Sequence, residues 1–161
     1  MVKFVYNYKR KEGIKMANAY YRSSNSIERQ ISNLSYSEFT FEGRKCNSFE
    51  GFYQGIKGSG EDMQNHVFLM FGMEAKGRSK PTSYVYFNGR KLKAGSKDHH
   101  ELLFEAQKCK YTQCQKSREA LLATGNTKIT HKAGRDSDVY PAKVYTKHLT
   151  TIRAMIQKGE L

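Results

Sequence analysis

The chain has 161 residues, with 28 Lys and Arg against 15 Asp and Glu and a formal net charge of +13. That length suits one domain with one core, and 11 Tyr and 9 Phe argue against a disordered chain. No apolar run approaches the ~20 residues that cross a bilayer, the N-terminus lacks a secretory apolar region, and three cysteines form neither a disulfide framework nor a zinc spacing; the expectation is a reduced, cytoplasmic single domain over 1–161 with no membrane contact, metal or cofactor.

In chain order, Lys3 to Tyr8 alternates aromatic and polar residues and reads as an edge strand. Met16 to Ile31 is polar and gives no clear element. Phe39-Thr40-Phe41-Glu42 reads as a short strand ending at Gly43. A helix follows from Asn47, which can act as N-cap with Glu50 as its capping-box partner, and Gly58-Ser59-Gly60 breaks it. Asp62 can cap a second helix to about Ala75, with Met63, Val67, Met70 and Phe71 inward. Ser83 to Phe87, Asn88-Gly89 and Arg90 to Lys93 spell a hairpin with a type I′ turn. Lys97 to Thr124 reads as the longest helix, with Asp98 as N-cap and Gly125 just past its end. Leu102, Leu103, Ala106, Cys109, Tyr111, Cys114, Leu121 and Leu122 supply an interrupted apolar stripe. Ile129 starts a short extended segment, and Leu149 to Ile156 closes the chain as a helix. Helices exceed strands and no βαβ unit is visible, so the fold class is α+β: helix-rich with short strands.

The positive charge is heaviest from Lys76 to Lys110. A surface this basic attracts phosphates and speeds encounters with anions. Nucleic acid, a nucleotide and an acidic protein are all compatible partners, and so is simple solubility charge. His99-His100 is an adjacent pair whose members diverge on a helix and make poor joint ligands.

The segment from Asn47 to Lys57 carries the chemistry. Glu50, Gln54 and Lys57 stand at i, i+4 and i+7, one face of a helix. Phe49, Phe52, Tyr53 and Ile56 can anchor that helix on a core. One reading is an ordinary capped amphipathic helix; the other is a polar stripe of reacting groups on a rigid element.

Separated segments resemble the NADAR (YbiA-like) superfamily of N-glycosidases. Ser32-Asn33-Leu34 with Phe39 to Gly43 is similar to the family's opening "LSNF…F…GxxY". Ser48 to Lys57 is similar to "SxExxYQxxK", and Ala75-Lys76-Gly77-Arg78 to "AKxxGR". Lys110 to Gln113, Leu121 to Gly125, Ile129 to His131 and Asp136 resemble the later "KFxQ…LLxTG…LxE/H…D". The resemblance runs over about 32–153. It departs in lacking the family's tryptophans, for one of which Tyr140 is a candidate replacement.

The resemblance implies cleavage of a bond between ribose C1′ and a nitrogen. Such a bond breaks through an oxocarbenium-like state, which a carboxylate stabilises while a base activates water. It casts Glu50 and Asp136 as catalytic carboxylates. Lys57, about 10 Å along the helix from Glu50, is cast either as a cation or as an amine nucleophile. Tyr53 and Gln54 would orient the ribose or base. Arg78 would clamp a phosphate, Lys110 is a second cation or a solvated helix lysine, and His131 would touch the substrate or serve structure. Asp136 also fits a turn or cap. The implied substrate is a ribosyl-phosphate or ADP-ribosyl compound. One candidate is ADP-ribosylated guanine in nucleic acid, another a ribosylated pyrimidine of riboflavin synthesis. The competing class is a non-catalytic ADP-ribose or nucleic-acid binding module.

Overall fold

The computed structural model describes residues 16–161, so the strand expected at Lys3 to Tyr8 lies outside the described residues. It begins with β1 (Met16–Asn18) and α1 (Ser26–Ile31). Asn25 caps α1, its side chain accepting from the N–H groups of Ile27 and Glu28. Next comes a hairpin of β2 (Phe39–Phe41) and β3 (Arg44–Cys46). Its two-residue turn puts Glu42 and Gly43 at φ 45° and 80°, so Glu42 is a turn residue rather than the end of the strand.

The central helix α2 spans Phe49–Gly55. Its cap is Ser48 and not Asn47: Ser48 Oγ accepts from Gly51 N at 2.8 Å and donates to Met70 O at 2.7 Å. Glu50 forms no capping box. Its backbone N–H donates to Asn33 O at 2.9 Å, and its carboxylate turns toward Gln54.

The single helix expected from Asp62 to Ala75 is two. α3 (Glu61–Phe68) is capped by Gly60, and α4 (Gly72–Ala75) follows. Between them Leu69 and Phe71 lie exposed, as does Met63 on α3, while Val67 and Met70 are buried. The chain turns there because Gly72 takes φ 62°, a left-handed conformation that glycine adopts without a Cβ clash. The Asn88-Gly89 hairpin forms as expected, joining β4 (Tyr84–Phe87) and β5 (Arg90–Lys93) with both turn residues at positive φ. The turns of the two hairpins are tied together: Arg90 grips the Glu42 carboxylate and Asn88 Nδ2 donates to Glu42 O.

The long helix is also two. α5 (Lys97–Gln113), capped by Ser96 rather than Asp98, ends where Cys114 is extended, and α6 (Gln115–Ala123) continues. At the break Gln113 is tied to the β2 strand. Its side-chain amide accepts from Thr40 N and donates to Thr40 O at 2.7 and 2.8 Å, acting as an added rung on β2. The turn lets α6 bury Ala120 and Leu121. Gly125 follows at φ 60°. β6 (Lys128–Thr130) pairs in parallel with β1, and α7 (Ala142–Gln157) closes the chain, starting earlier than Leu149.

The core is aromatic. Phe41 stacks on Phe87 at 5.3 Å, and Phe52 meets Phe41, Phe68 and Phe87 at 5.2–5.5 Å. Burying each phenyl contributes roughly 2–3 kcal/mol. Among the described residues the strands are confined to two-stranded pairs, so packing of the helices on this cluster fixes the architecture. The result is the helix-rich α+β fold with short strands that the sequence led us to expect. Among the described residues, no helix is long and apolar enough to cross a membrane.

Candidate active site

Segments far apart in sequence meet at a cleft of about 460 Å³. The β1–α1 loop supplies Tyr20, Tyr21 and Arg22. The turn after α1 supplies Ser32, Asn33 and Leu34, and α2 supplies Glu50 and Tyr53. Met73 and Lys76 come from α4 and its end, and the segment after β6 supplies His131, Ser137 and Tyr140.

One wall is built by taking up consecutive carbonyls. Ile31 O accepts from the hydroxyls of Tyr111 and Tyr145 at 3.2 and 3.0 Å. Ser32 O accepts from Lys110 Nζ at 3.1 Å, Asn33 O from Glu50 N at 2.9 Å, and Leu34 O from Gly72 N at 2.7 Å. The Asn33 side chain accepts from Gln107 Nε2 at 2.9 Å. Every backbone oxygen from 31 to 34 is thus held from outside the turn, by α5 and α7 at 31, α5 at 32, α2 at 33 and α4 at 34, which makes a short irregular turn into a rigid wall.

Lys110 is fully buried within this wall. It is neither a cation in the cleft nor a solvated helix lysine. Burial lowers its pKa to about 7, because desolvation penalises the charged form.

Glu50 sits at the cleft with 9% of its surface exposed. Burial raises its carboxyl above the usual range, opposed by the hydrogen bond from Gln54 and by the charges of Lys57 and Lys76. Behind it runs a relay. Gln54 Nε2 donates to Glu50 Oε1 at 2.8 Å, and Gln54 Oε1 accepts from Lys57 Nζ at 3.0 Å and from Ser79 N at 3.3 Å. An ammonium and an amide N–H can only donate, so they fix which way the Gln54 amide faces. The Lys57 ammonium also lies 4.8 Å from the Tyr53 ring centroid. Burial lowers its pKa, and Glu50 opposes that shift.

The opposite wall is aromatic. Tyr53 and Tyr140 stack at 6.2 Å, and His99 backs Tyr53 at 6.3 Å. Tyr140 Oη pairs with His148 Nδ1 at 2.7 Å. Burial pulls His148 down to about pKa 4, so its ring is neutral near pH 7, and its tautomer sets which of the two atoms donates. His131 Nδ1 meets Ala19 O at 2.8 Å. A carbonyl can only accept, so Nδ1 carries a proton and Nε2 is the ring nitrogen left for another partner.

Of the residues singled out by sequence, Glu50, Tyr53 and His131 line the cleft. Gln54 and Lys57 stand behind Glu50 rather than in the cleft. Asp136 is exposed, and its Oδ1 accepts from Ser137 N and Ala142 N at 2.9 and 2.8 Å, capping the start of α7. Arg78 is exposed and does not line the cleft; Lys76, two residues earlier, does. Sequence reasoning passed over Tyr20, Tyr21, Arg22, Asn33 and Lys76. Lys76 stood inside a motif already noted, and Tyr20-Tyr21-Arg22 is an aromatic pair followed by a cation. Among the described residues, no three of His, Cys, Asp or Glu converge as a metal site.

No curated protein matches the chain. The NMR structure of the E. coli protein YbiA matches with a TM-score of 0.64 at 18% identity, covering 90% of this chain and 86% of that one. This likeness shows that the two share a fold. The family model described as bacteriophage protein GP30.3 matches residues 25–154. The chain therefore belongs to the bacteriophage GP30.3 family and carries a YbiA-like fold.

Proposed function

We propose that this chain, working as a single domain, is an N-glycosidase of the NADAR type. It hydrolyses the bond between ribose C1′ and a nitrogen in a phosphorylated or ADP-ribosylated substrate, with ADP-ribosylated guanine in nucleic acid as the preferred case. The observation that carries the reading is the Glu50 carboxylate, buried at a cleft between a rigid backbone wall and an aromatic one, with Gln54 and Lys57 hydrogen-bonded in line behind it. The +13 charge favours the nucleic-acid substrate over a free pyrimidine.

In this reading Glu50 accepts a proton from water as its oxygen bonds to C1′. The C1′–N bond breaks with its electron pair leaving on nitrogen, which takes a proton from solvent. The negative charge of Glu50 stabilises the oxocarbenium-like state between these events. Lys57 does not attack C1′, because Gln54 stands between it and Glu50. Its role is to hold Gln54 and to keep Glu50 ionised despite burial. Tyr53 and Tyr140 offer faces to a base or ribose, and His131 Nε2 accepts from a sugar hydroxyl. Asp136 acts by capping α7 and so placing Ser137 and Tyr140.

The test is to incubate the chain with ADP-ribosylated guanine DNA and with a ribosylated pyrimidine phosphate, and to weigh the products. Release of ADP-ribose with unmodified DNA is expected. Binding of both substrates with no product would make the chain a binding module instead.

Arg22 and Lys76 are both exposed and both line the cleft, which suits a pyrophosphate. Removing either should raise KM by about tenfold with a smaller change in kcat, because the contact exists before and during the reaction. Arg78→Ala should change KM less than either. Steady-state kinetics decide this, and an Arg78→Ala effect larger than that of Lys76→Ala would move the phosphate site along the chain.

A further inference from the structure

From Lys76 to Lys97 the chain has no acidic residue, and the structure arranges part of this stretch as a surface. Cross-strand partners share a face of a hairpin. In β4–β5 the pairs are Tyr84 with Lys93 and Tyr86 with Lys91, while Val85 pairs with Leu92 and Phe87 with Arg90. Val85 and Phe87 are buried. The other face therefore presents Tyr84, Tyr86, Lys91 and Lys93. Tyr84 is 44% exposed, and both lysines are exposed. The Lys91 ammonium lies 4.3 Å from the Tyr84 ring centroid. Arg90, by contrast, is committed to Glu42.

A short segment of chain joins this hairpin to the cleft. Lys76 lines the cleft. From it the exposed strap of Arg78 and Lys80 leads to β4. The strap is pinned beside the Glu50 relay by Ser79 N on Gln54 Oε1, and β4 is pinned to the end of α2 by Tyr86 N on Ile56 O at 2.7 Å.

Aromatic rings interleaved with cations, with no opposing acid, suit a single nucleic-acid strand. Bases stack on the rings while phosphates meet the lysines. A duplex hides its base faces and gains only the charge term. We infer that the outer face of the β4–β5 hairpin, with the Lys76 to Lys80 strap, is a platform for single-stranded nucleic acid leading to the cleft. This names the partner surface for the proposed function and rests on that reading only for the modified base that the strand delivers. The Lys91–Tyr84 contact is an exposed cation–π pair, weak enough for the lysine to swing onto a phosphate.

The test measures binding of the full chain to a fluorescein-labelled single-stranded DNA of ~12 nucleotides, to its duplex, and to polyphosphate as competitor, over a range of salt. The single strand should bind more tightly than the duplex. The double variant Lys91→Ala/Lys93→Ala should weaken binding and flatten the plot of log affinity against log salt by about 1.4, the loss of two phosphate contacts on a single strand. Tyr84→Ala should weaken binding by about tenfold with an unchanged slope. All three side chains are exposed, so circular dichroism should match the parent. Variants that bind like the parent overturn the inference, and so does equal binding of single strand and duplex with full competition by polyphosphate. A chain that shows the expected binding pattern yet cleaves no glycosidic bond overturns the proposed function and leaves the platform standing.

Discussion

Glu50→Gln should cut turnover by at least about 10²-fold and, at the same time, raise the melting temperature at pH 7. The amide keeps the side-chain length and can still accept from Gln54 Nε2 through its carbonyl oxygen. What it loses is the buried charge. Burial is the largest influence on Glu50 and raises its pKa, so folding favours the protonated form. Below the unfolded value near 4.5 the side chain is neutral in both states, and the variant gains nothing. As pH rises through the folded pKa, the native state must ionise a desolvated carboxyl. Wild-type stability falls by that cost relative to the variant. The stability difference between the two proteins should therefore be near zero at pH 4 and favour Gln at pH 7. Melting curves of both proteins at both pH values, with a turnover assay at pH 7, check it. A variant that is inactive and also less stable at pH 7 would make the Glu50 charge a structural element. An active variant would remove Glu50 from the chemistry.

Such a carboxylate is legible in sequence because its helix is local. Glu50, Tyr53 and Gln54 are brought together by spacing within α2, and Lys57 joins the relay from the turn just past the end of that helix, which stops at Gly55 and not at Lys57. The Asn88-Gly89 hairpin and the glycine after α6 are legible for the same reason. The features that sequence hid depend on distant partners. β3 has no alternating apolar pattern of its own, since Arg44 and Lys45 carry two of its three positions. The Arg44 guanidinium in fact lies 5.0 Å from the Phe68 ring centroid and bonds Asn65 and Asn88. The break at Cys114 comes where Gln113 pairs with Thr40, 73 residues away in sequence. Lys110 reads as a surface cation in any local window, and only the carbonyl of Ser32, 78 residues away, explains its burial. The cleft draws on loops far from α2, so its Tyr20, Arg22 and Lys76 could not be assembled from spacing. The choice of Arg78 over Lys76 missed by two residues, enough to take the side chain out of the cleft.

The largest structural effect should come from Gly51→Ala, one residue from Glu50. A Cβ built at Gly51 would stand 2.7 Å from Met70 O, 2.8 Å from Phe68 O and 2.9 Å from Val67 O. These are backbone oxygens from the end of α3 and the turn after it, and they cannot rotate away. Two of them are already engaged by the start of α2: Phe68 O accepts from Asn47 N at 2.9 Å and Met70 O from Ser48 Oγ at 2.7 Å. Alanine would gain about 1 kcal/mol of helix propensity. Against that, a methyl group without room costs roughly 1–3 kcal/mol and occasionally more, and here it meets several fixed oxygens at once. A net loss of about 2 kcal/mol is expected, or a melting temperature lower by about 4–8 °C. Relief requires α2 to shift away from α3, which carries Glu50 off the Asn33 carbonyl that seats it. Activity should therefore fall further than the loss of folded protein explains. Gly58→Ala is the control, because its Cβ would meet only Gly55 O at 3.9 Å, and it should stay within about 0.5 kcal/mol of the parent. Thermal melts and turnover per folded molecule for both variants check the argument. A Gly51→Ala protein as stable and active as the Gly58→Ala control would show that α2 and α3 are not held at that spacing.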